Sequence, residues 1–337
     1  MLTKPKFKEE EIIRYIHDAY GLNVKEISFL PLGADFNTTV YRVKTSNKQN
    51  YFLKLRKTEF HEASVMVPKY LADQGFKQII PPIATVINQL WGNLGAFKVI
   101  LYPYVEGHNS IDMPLSDIQW IEFGATMKKF HSTDIPKSII SGIPKEAFSP
   151  KWRNMVKTFL VSIEDKVFEE LVAAEMALFM KSKSSEILKF IQLAEELACL
   201  LQKQHLDYIL CHGDIHGWNL LIDKESTLYI VDWDTLIFAP KERDLMFIGA
   251  GIWDSGLTPD QEESLFYQGY GQTEIDQDAI AYYRYERIIQ DIGEYCEQIF
   301  LSDEGGDDRI QSFEYLKSNF LPGGTIERAY KLDKARK

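Results

Sequence analysis

Cysteine is scarce in this chain: Cys199, Cys211 and Cys296 are the only three in 337 residues. None forms a CxxC pair, and an odd number cannot close into disulfides within one chain. A disulfide-stapled fold is therefore excluded, and reduced thiols in a cytosolic setting are expected. Long apolar runs are also missing. No stretch approaches 18 apolar residues, so no membrane span is expected. The opening segment MLTKPKFKEEEIIRYI has neither an apolar core nor a small-residue cleavage site, so no secretory leader is expected. An excess of positive charge is lacking too. Lys and Arg number 38 against 49 Asp and Glu, a net charge of −11. A nucleic-acid-binding surface needs clustered cations, so that class is disfavoured. Internal repeats and low-complexity tracts are absent. A soluble, cytoplasmic, globular protein acting on neither nucleic acid nor membrane remains.

Hydrophobic residues make up 45% of the chain and charged residues 26%, enough for a large core. The length suggests roughly two domains at ~150 residues each. Thr39–Thr45 and Tyr51–Leu55 are short β-type runs flanking the polar turn 46–50, spaced for an antiparallel hairpin. Phe97–Val105 is a third apolar run. Glu59–Gln74 reads as a helix ending at Gly75, with Pro68 expected to kink it or mark a boundary. Beyond Gly107 the pattern turns helical. Trp120, Phe123, Met127 and Phe130 share one helical face, as do Ile187, Phe190, Ile191, Ala194, Leu197, Ala198 and Leu201. Ile280, Ile288, Ile292, Tyr295 and Ile299 form a third stripe. The expected organisation is α+β: a small strand-rich lobe over 1–100, a connector at 101–107, and a larger, mainly helical lobe over 108–337.

A polar loop lies between short apolar strands at residues 208–238: His212-Gly213-Asp214-Ile215-His216-Gly217-Trp218-Asn219, then a strand ending in Asp232. Asp214 stands five residues before Asn219. Phosphoryl transfer needs a carboxylate to orient the attacking hydroxyl and take its proton, a neutral oxygen ligand for Mg²⁺, and a second carboxylate for that ion. Asp214, Asn219 and Asp232 supply this set. An aspartate carboxylate, whose ordinary pKa is about 3.9, cannot strip a proton from a resting alcohol. Asp214 would therefore act mainly by alignment, with proton uptake late in a loose transition state.

HGDIHGWN followed by IVDWD resembles the aminoglycoside phosphotransferase family, whose fold is the bilobal protein-kinase-like one. The blocks YFLKL, FHEASVMVPKYLADQG, SPKWR, LCHGDIHGWNLLI, YIVDWD, APKERDLMFIG and YYRYERI extend this similarity to about residue 320. They resemble the spectinomycin phosphotransferase branch. The resemblance implies a catalytic base at Asp214 and metal ligands at Asn219 and Asp232. It also implies that Lys54 holds the ATP phosphates and that Glu62 is its ion-pair partner, with Glu59 as competitor. The hinge at 101–105, including Pro103, Tyr104 and Val105, would meet the adenine. The loop between the first strands, Gly33 to Thr38, departs from GxGxxG by having one glycine. Gly33, with Asn37 and Thr38, is its candidate phosphate contact. ATP and Mg²⁺ are the implied cofactors, and a cationic aminocyclitol the implied substrate of a monomer or homodimer.

Other readings stand beside these. His212 and His216 are expected to be structural hydrogen-bonding residues. Asp234 is either a contact for a substrate ammonium or a solvated carboxylate. Asp291 and Glu294, one turn apart, either cup a cationic substrate or face solvent. Kinases of choline, homoserine, methylthioribose or fructosamine share the same loop logic. A transition-metal hydrolase built on His212-x-Asp214-x-His216 and a nucleotide-binding pseudoenzyme are the more distant alternatives.

Overall fold

The computed structural model describes residues 8–32, 38–57, 60–253, 255–302 and 305–336. Helix α1 (Glu9–Tyr20) precedes strands β1 (Val24–Leu30), β2 (Thr38–Thr45) and β3 (Asn50–Arg56). Helix α2 (Ala63–Asp73) leads to β4 (Gly92–Leu94), β5 (Phe97–Pro103) and β6 (Gly107–Asn109). Helices α3 (Asp117–His131), α4 (Lys137–Ile140), α5 (Lys151–Ser162) and α6 (Leu171–Leu201) follow. Short strands β7 (Ile209–Cys211), β8 (Leu220–Asp223), β9 (Leu228–Ile230) and β10 (Ile237–Ala239) come next. After them are α7 (Glu242–Leu245), α8 (Pro259–Tyr270), α9 (Gln277–Phe300), α10 (Asp307–Asn319) and α11 (Thr325–Arg336). Among the described residues, no helix is long and apolar enough to cross a membrane.

The chain forms two compact units. The first runs up to Pro144 and takes in His212–Leu236 and Leu265–Gly271. The second comprises Lys145–Cys211, Ile237–Ser264 and the chain from Gln272 onward. Residues 101–107 lie inside the first unit. The grouping is topological: the polar loop at 212–236 folds back onto the early strands, so its contacts belong with them.

In the first unit, β1, β2, β3, β5 and β4 form an antiparallel sheet in that order. The expected hairpin is β2 and β3, paired in unbroken register from Thr38↔Arg56 to Lys44↔Asn50. Strand side chains alternate between faces. Tyr41, Val43, Leu53, Leu55, Val99 and Leu101 therefore point one way, and form a buried cluster with Ile12, Ile16 and Tyr20 of α1. Each such burial contributes about 1.5–3 kcal/mol. The alternate positions Val40, Lys54, Arg56, Lys98 and Ile100 share the opposite face. Helix α2 runs through Pro68 and stops short of Gly75, which adopts a positive φ of 80°. Proline lacks the N–H that would have bonded to the Ser64 carbonyl. Helix α3 starts on a reciprocal cap, with Gln119 Oε1 accepting from Ser116 N at 2.9 Å. Its stripe of Trp120, Phe123, Met127 and Phe130 is buried as expected.

The second unit is built on α6 and α9. The Ile187–Leu201 stripe is buried, as are Ile280, Ile288, Ile292 and Ile299. All three cysteines are free thiols, with Cys211 and Cys296 buried and Cys199 exposed. Arg153 of SPKWR is buried and donates to Phe148 O at 2.8 Å and Ala194 O at 3.2 Å. It also pairs with Glu286 of α9 at 3.3 Å.

Burial pushes the Glu286 carboxyl up to about 7, although Arg153 opposes the shift. The folded state then holds this proton more tightly than the unfolded chain. That contribution to stability is complete below the ordinary carboxylate range and is lost as pH rises through about 7. Thermal unfolding followed between pH 5 and 8 should show the melting temperature falling more steeply with pH in the wild type than in Glu286→Gln. Parallel slopes for the two proteins would refute the assignment.

Candidate active site

The loop after Cys211 is held by hydrogen bonds that run through its own polar groups. His212 is fully buried. Its Nε2 meets Val231 O at 3.0 Å and its Nδ1 accepts from Asp214 N at 3.3 Å. These partners assign the proton to Nε2. Thr235 Oγ1 donates to His212 O at 2.9 Å, and the Trp233 ring packs edge-on at 4.8 Å. His212 thus ties the two ends of the β8–β9 hairpin together. Gly213 sits at φ 86°, a left-handed conformation that a side chain would strain. It lets the chain reverse and present Asp214.

Asn219 Nδ2 donates to Asp214 O at 2.8 Å, and Asn219 O accepts from Val231 N at 3.0 Å. The amide nitrogen is therefore engaged within the loop, and the amide oxygen is its ligand-capable end. Ser110, just past β6, donates to Gly217 O from both N (3.2 Å) and Oγ (3.0 Å). The segment after β5 thereby clasps this loop. His216 Nε2 lies 3.3 Å from Asp214 Oδ2. Both histidines serve the hydrogen bonding of the loop.

Asp232 adopts φ 62° and ψ 70°, rare for a residue with a Cβ. Such a conformation costs about 1–3 kcal/mol, and it is concentrated where side-chain direction matters for function. Here it brings the carboxylate to Lys54, whose Nζ lies 2.9 Å from Asp232 Oδ1 and 2.5 Å from Asp234 Oδ2. Arg56 also pairs with Asp234 Oδ2, through Nη1. Arg56 Nε is enclosed and has no hydrogen-bond partner among the described residues. Leaving a buried donor unpaired costs about 1–3 kcal/mol. Desolvation alone would lower the Lys54 pKa. The Asp232 and Asp234 carboxylates outweigh it and hold the ammonium well above its usual range. Desolvation likewise raises Asp232, but Lys54 more than offsets this and draws the carboxyl below its ordinary value. The charge of Asp214 acts on Asp232 in the raising direction.

The structure thus joins Lys54, Asp232 and Asp234 directly, and Asp214 and Asn219 through the loop. The expected Lys54–Glu62 pair is not formed. Glu62 is exposed at the start of α2, and both cationic contacts of Lys54 go to the hairpin. Glu59, Gly33 and Asn37 lie outside the described residues. Thr38 opens β2 directly across from Arg56. Pro103 ends β5 paired with Tyr51. Tyr104 N donates to Asn50 O at 3.3 Å, and the chain then runs without regular structure through Val105 to β6. Asp234 faces two cations of its own chain, Lys54 and Arg56. Asp291 pairs with Arg287 at 2.9 Å and Glu294 accepts from Gln290 at 2.8 Å, each one turn along α9 in the second unit.

Sequence reasoning missed Arg56. The available signal was the i, i+2 spacing from Lys54, which puts both cations on one strand face. It also missed the backbone twist at Asp232, for which an Asp leaves only a weak statistical trace.

The donor set fits a hard cation: one amide oxygen and one carboxylate, with no sulfur, presented on loop ends. Lys54 and Arg56 beside it fit phosphate oxygens. Residues 28–283 match the profile of the phosphotransferase enzyme family. Spectinomycin phosphotransferase APH(9)-Ia, solved with ADP and spectinomycin, is 33% identical over 98% of this chain and 99% of that one, with a TM-score of 0.89. The fold is shared by the choline kinase LicA from Streptococcus pneumoniae at 16% identity and a TM-score of 0.57, over 96% of this chain and 99% of that one. Amicoumacin kinase hAmiN, solved with AMP-PNP, shares it at 14% identity and 0.61, over 93% and 94%. No curated protein matches. A family profile spanning most of the chain, with the D-x4-N loop and the following Asp inside it, means that this chain belongs to the phosphotransferase enzyme family.

Proposed function

We propose that this phosphotransferase moves the γ-phosphate of ATP to a hydroxyl of an aminocyclitol antibiotic, and specifically of spectinomycin. One observation carries the substrate choice: 33% identity along nearly the whole of both chains with an enzyme solved around spectinomycin and ADP. Fold similarity at 16% identity carries no such argument for choline. The phosphorylated drug would gain an anionic group that spoils target binding, which makes antibiotic resistance the biological outcome. ATP supply and free thiols both favour a cytoplasmic setting.

In the proposed mechanism Pro103, Tyr104 and Val105 receive the adenine along the segment after β5. Lys54 leaves Asp232 for the nucleotide phosphates, which are the stronger anion. Asn219 and Asp232 would hold Mg²⁺, which supplies neutralisation of the phosphate charge when bound. Asp214 accepts a hydrogen bond from the acceptor hydroxyl and aligns it in line with the γ-phosphorus. As the new P–O bond forms and the bond to the ADP oxygen breaks, Asp214 takes the hydroxyl proton. The loose transition state makes orientation the main contribution of this residue. The acidity of the chain favours approach of a dicationic substrate. The cations of β3, together with the metal ion, would offset that field where the nucleotide must sit.

Purified protein with Mg·ATP should release ADP only when spectinomycin is present, in a panel that includes choline, homoserine and methylthioribose. Turnover dependent on another acceptor alone would replace the substrate assignment while leaving the reaction class intact. Asp214→Asn should lower kcat by about 10²–10⁴-fold with nucleotide affinity near wild type. Full activity of that variant would remove Asp214 from its role. Asp232→Asn should raise the Mg²⁺ concentration needed for half-maximal rate by at least about tenfold. An unchanged Mg²⁺ requirement would exclude Asp232 as a ligand.

A further inference from the structure

We propose that Arg56 is a second phosphate-binding cation beside Lys54, and that Asp234 is the internal counterion that yields both to the nucleotide. This rests on the ATP-dependent reading above. Three features separate this arrangement from a purely structural ion pair.

The first is placement. Lys54 and Arg56 occupy alternate positions of β3, so they project from the sheet face opposite the α1 core. The second is the contact geometry. A lasting Arg–carboxylate bridge uses both oxygens against the guanidinium fork. Here the single oxygen Oδ2 of Asp234 serves both Lys54 and Arg56, and Arg56 Nε is enclosed with no hydrogen-bond partner among the described residues. The guanidinium is therefore not locked into a two-oxygen bridge with Asp234.

The third feature is charge. Arg56 lies directly opposite Lys98 across β3 and β5, an unfavourable pairing of like charges. Lys54 and Arg56 balance Asp232 and Asp234 in the structure as it stands. Once Asp232 is committed to a metal ion, the two cations exceed Asp234 by one charge, and the nucleotide phosphates restore the balance. Asp234 thus keeps the cations from repelling one another before ATP arrives, and competes with ATP for them afterwards.

The two residues should consequently affect binding in opposite directions. Equilibrium titration calorimetry with ATP, ADP and adenosine, in EDTA and in Mg²⁺, tests this on the full chain. Arg56→Gln should weaken ATP by about tenfold or more while leaving adenosine within about twofold, and Arg56→Lys should recover part of the loss. Asp234→Asn should tighten ATP in EDTA by about threefold or more, because a competing carboxylate is gone. Thermal unfolding of each variant reports whether it is folded. Should Arg56→Gln alone fail to fold, Arg56→Lys and Asp234→Asn still decide the case. ATP affinity unchanged in the Arg56 variants, or weakened in Asp234→Asn, overturns the inference and leaves the kinase reading standing. A wild type that binds no ATP removes both.

Discussion

The ion pairs that Lys54 makes with Asp232 and Asp234 bridge positions 178 and 180 residues apart. Much of the first unit is arranged to make that meeting possible. Apolar residues on one face of β3 anchor the strand to α1, so its polar face is fixed in direction. From the other side, the β8–β9 hairpin is held against β6, and Ile230 N donates to Gln78 O at 2.8 Å. Neither anchor is itself chemical. Together they hold two cations and two carboxylates within contact distance, where one set alone would repel itself.

Backbone conformation then does at Asp232 and Gly213 what side chains cannot. Gly213 turns the chain so that Asp214 emerges from the loop, and the left-handed Asp232 directs its carboxylate to the same region. Buried His212 stabilises both departures by bonding Val231 O and Asp214 N with its two ring nitrogens. A histidine beside the candidate carboxylate Asp214 invites an acid–base role. Its partners here are backbone groups, and its task is to hold the loop closed.

Much of this was readable before any coordinates. The β2–β3 hairpin followed from two short β-type runs around a polar turn. The buried stripes of α3, α6 and α9 followed from 3.6-residue periodicity. Asp214, Asn219 and Asp232 stand out as candidates because metal-assisted phosphoryl transfer demands those oxygen types at short spacing around a hairpin. Local pattern was less informative about partners. The family resemblance implied Glu62 as the carboxylate for Lys54, yet Glu62 is exposed, and Lys54 turns to the hairpin instead. Asp234 read as either a substrate-ammonium contact or a solvated carboxylate, and the chain supplies it with two cations of its own.

The sequence by itself determined the reaction class and which residues are candidates for it, because chemical type and short-range spacing are local properties. It also determined which face of each strand and helix is apolar. Only the tertiary structure decided which charges meet. Pairing across 178 residues depends on how the hairpin docks on the sheet, and periodicity carries no record of docking. The division into units was decided in the same way. The chain returns at 212–236 to pack with its first 144 residues, a grouping set by contacts rather than by order along the chain. The pairing of Arg56 with Asp234 became visible only there, because a strand arginine acquires its meaning from the carboxylate placed beside it.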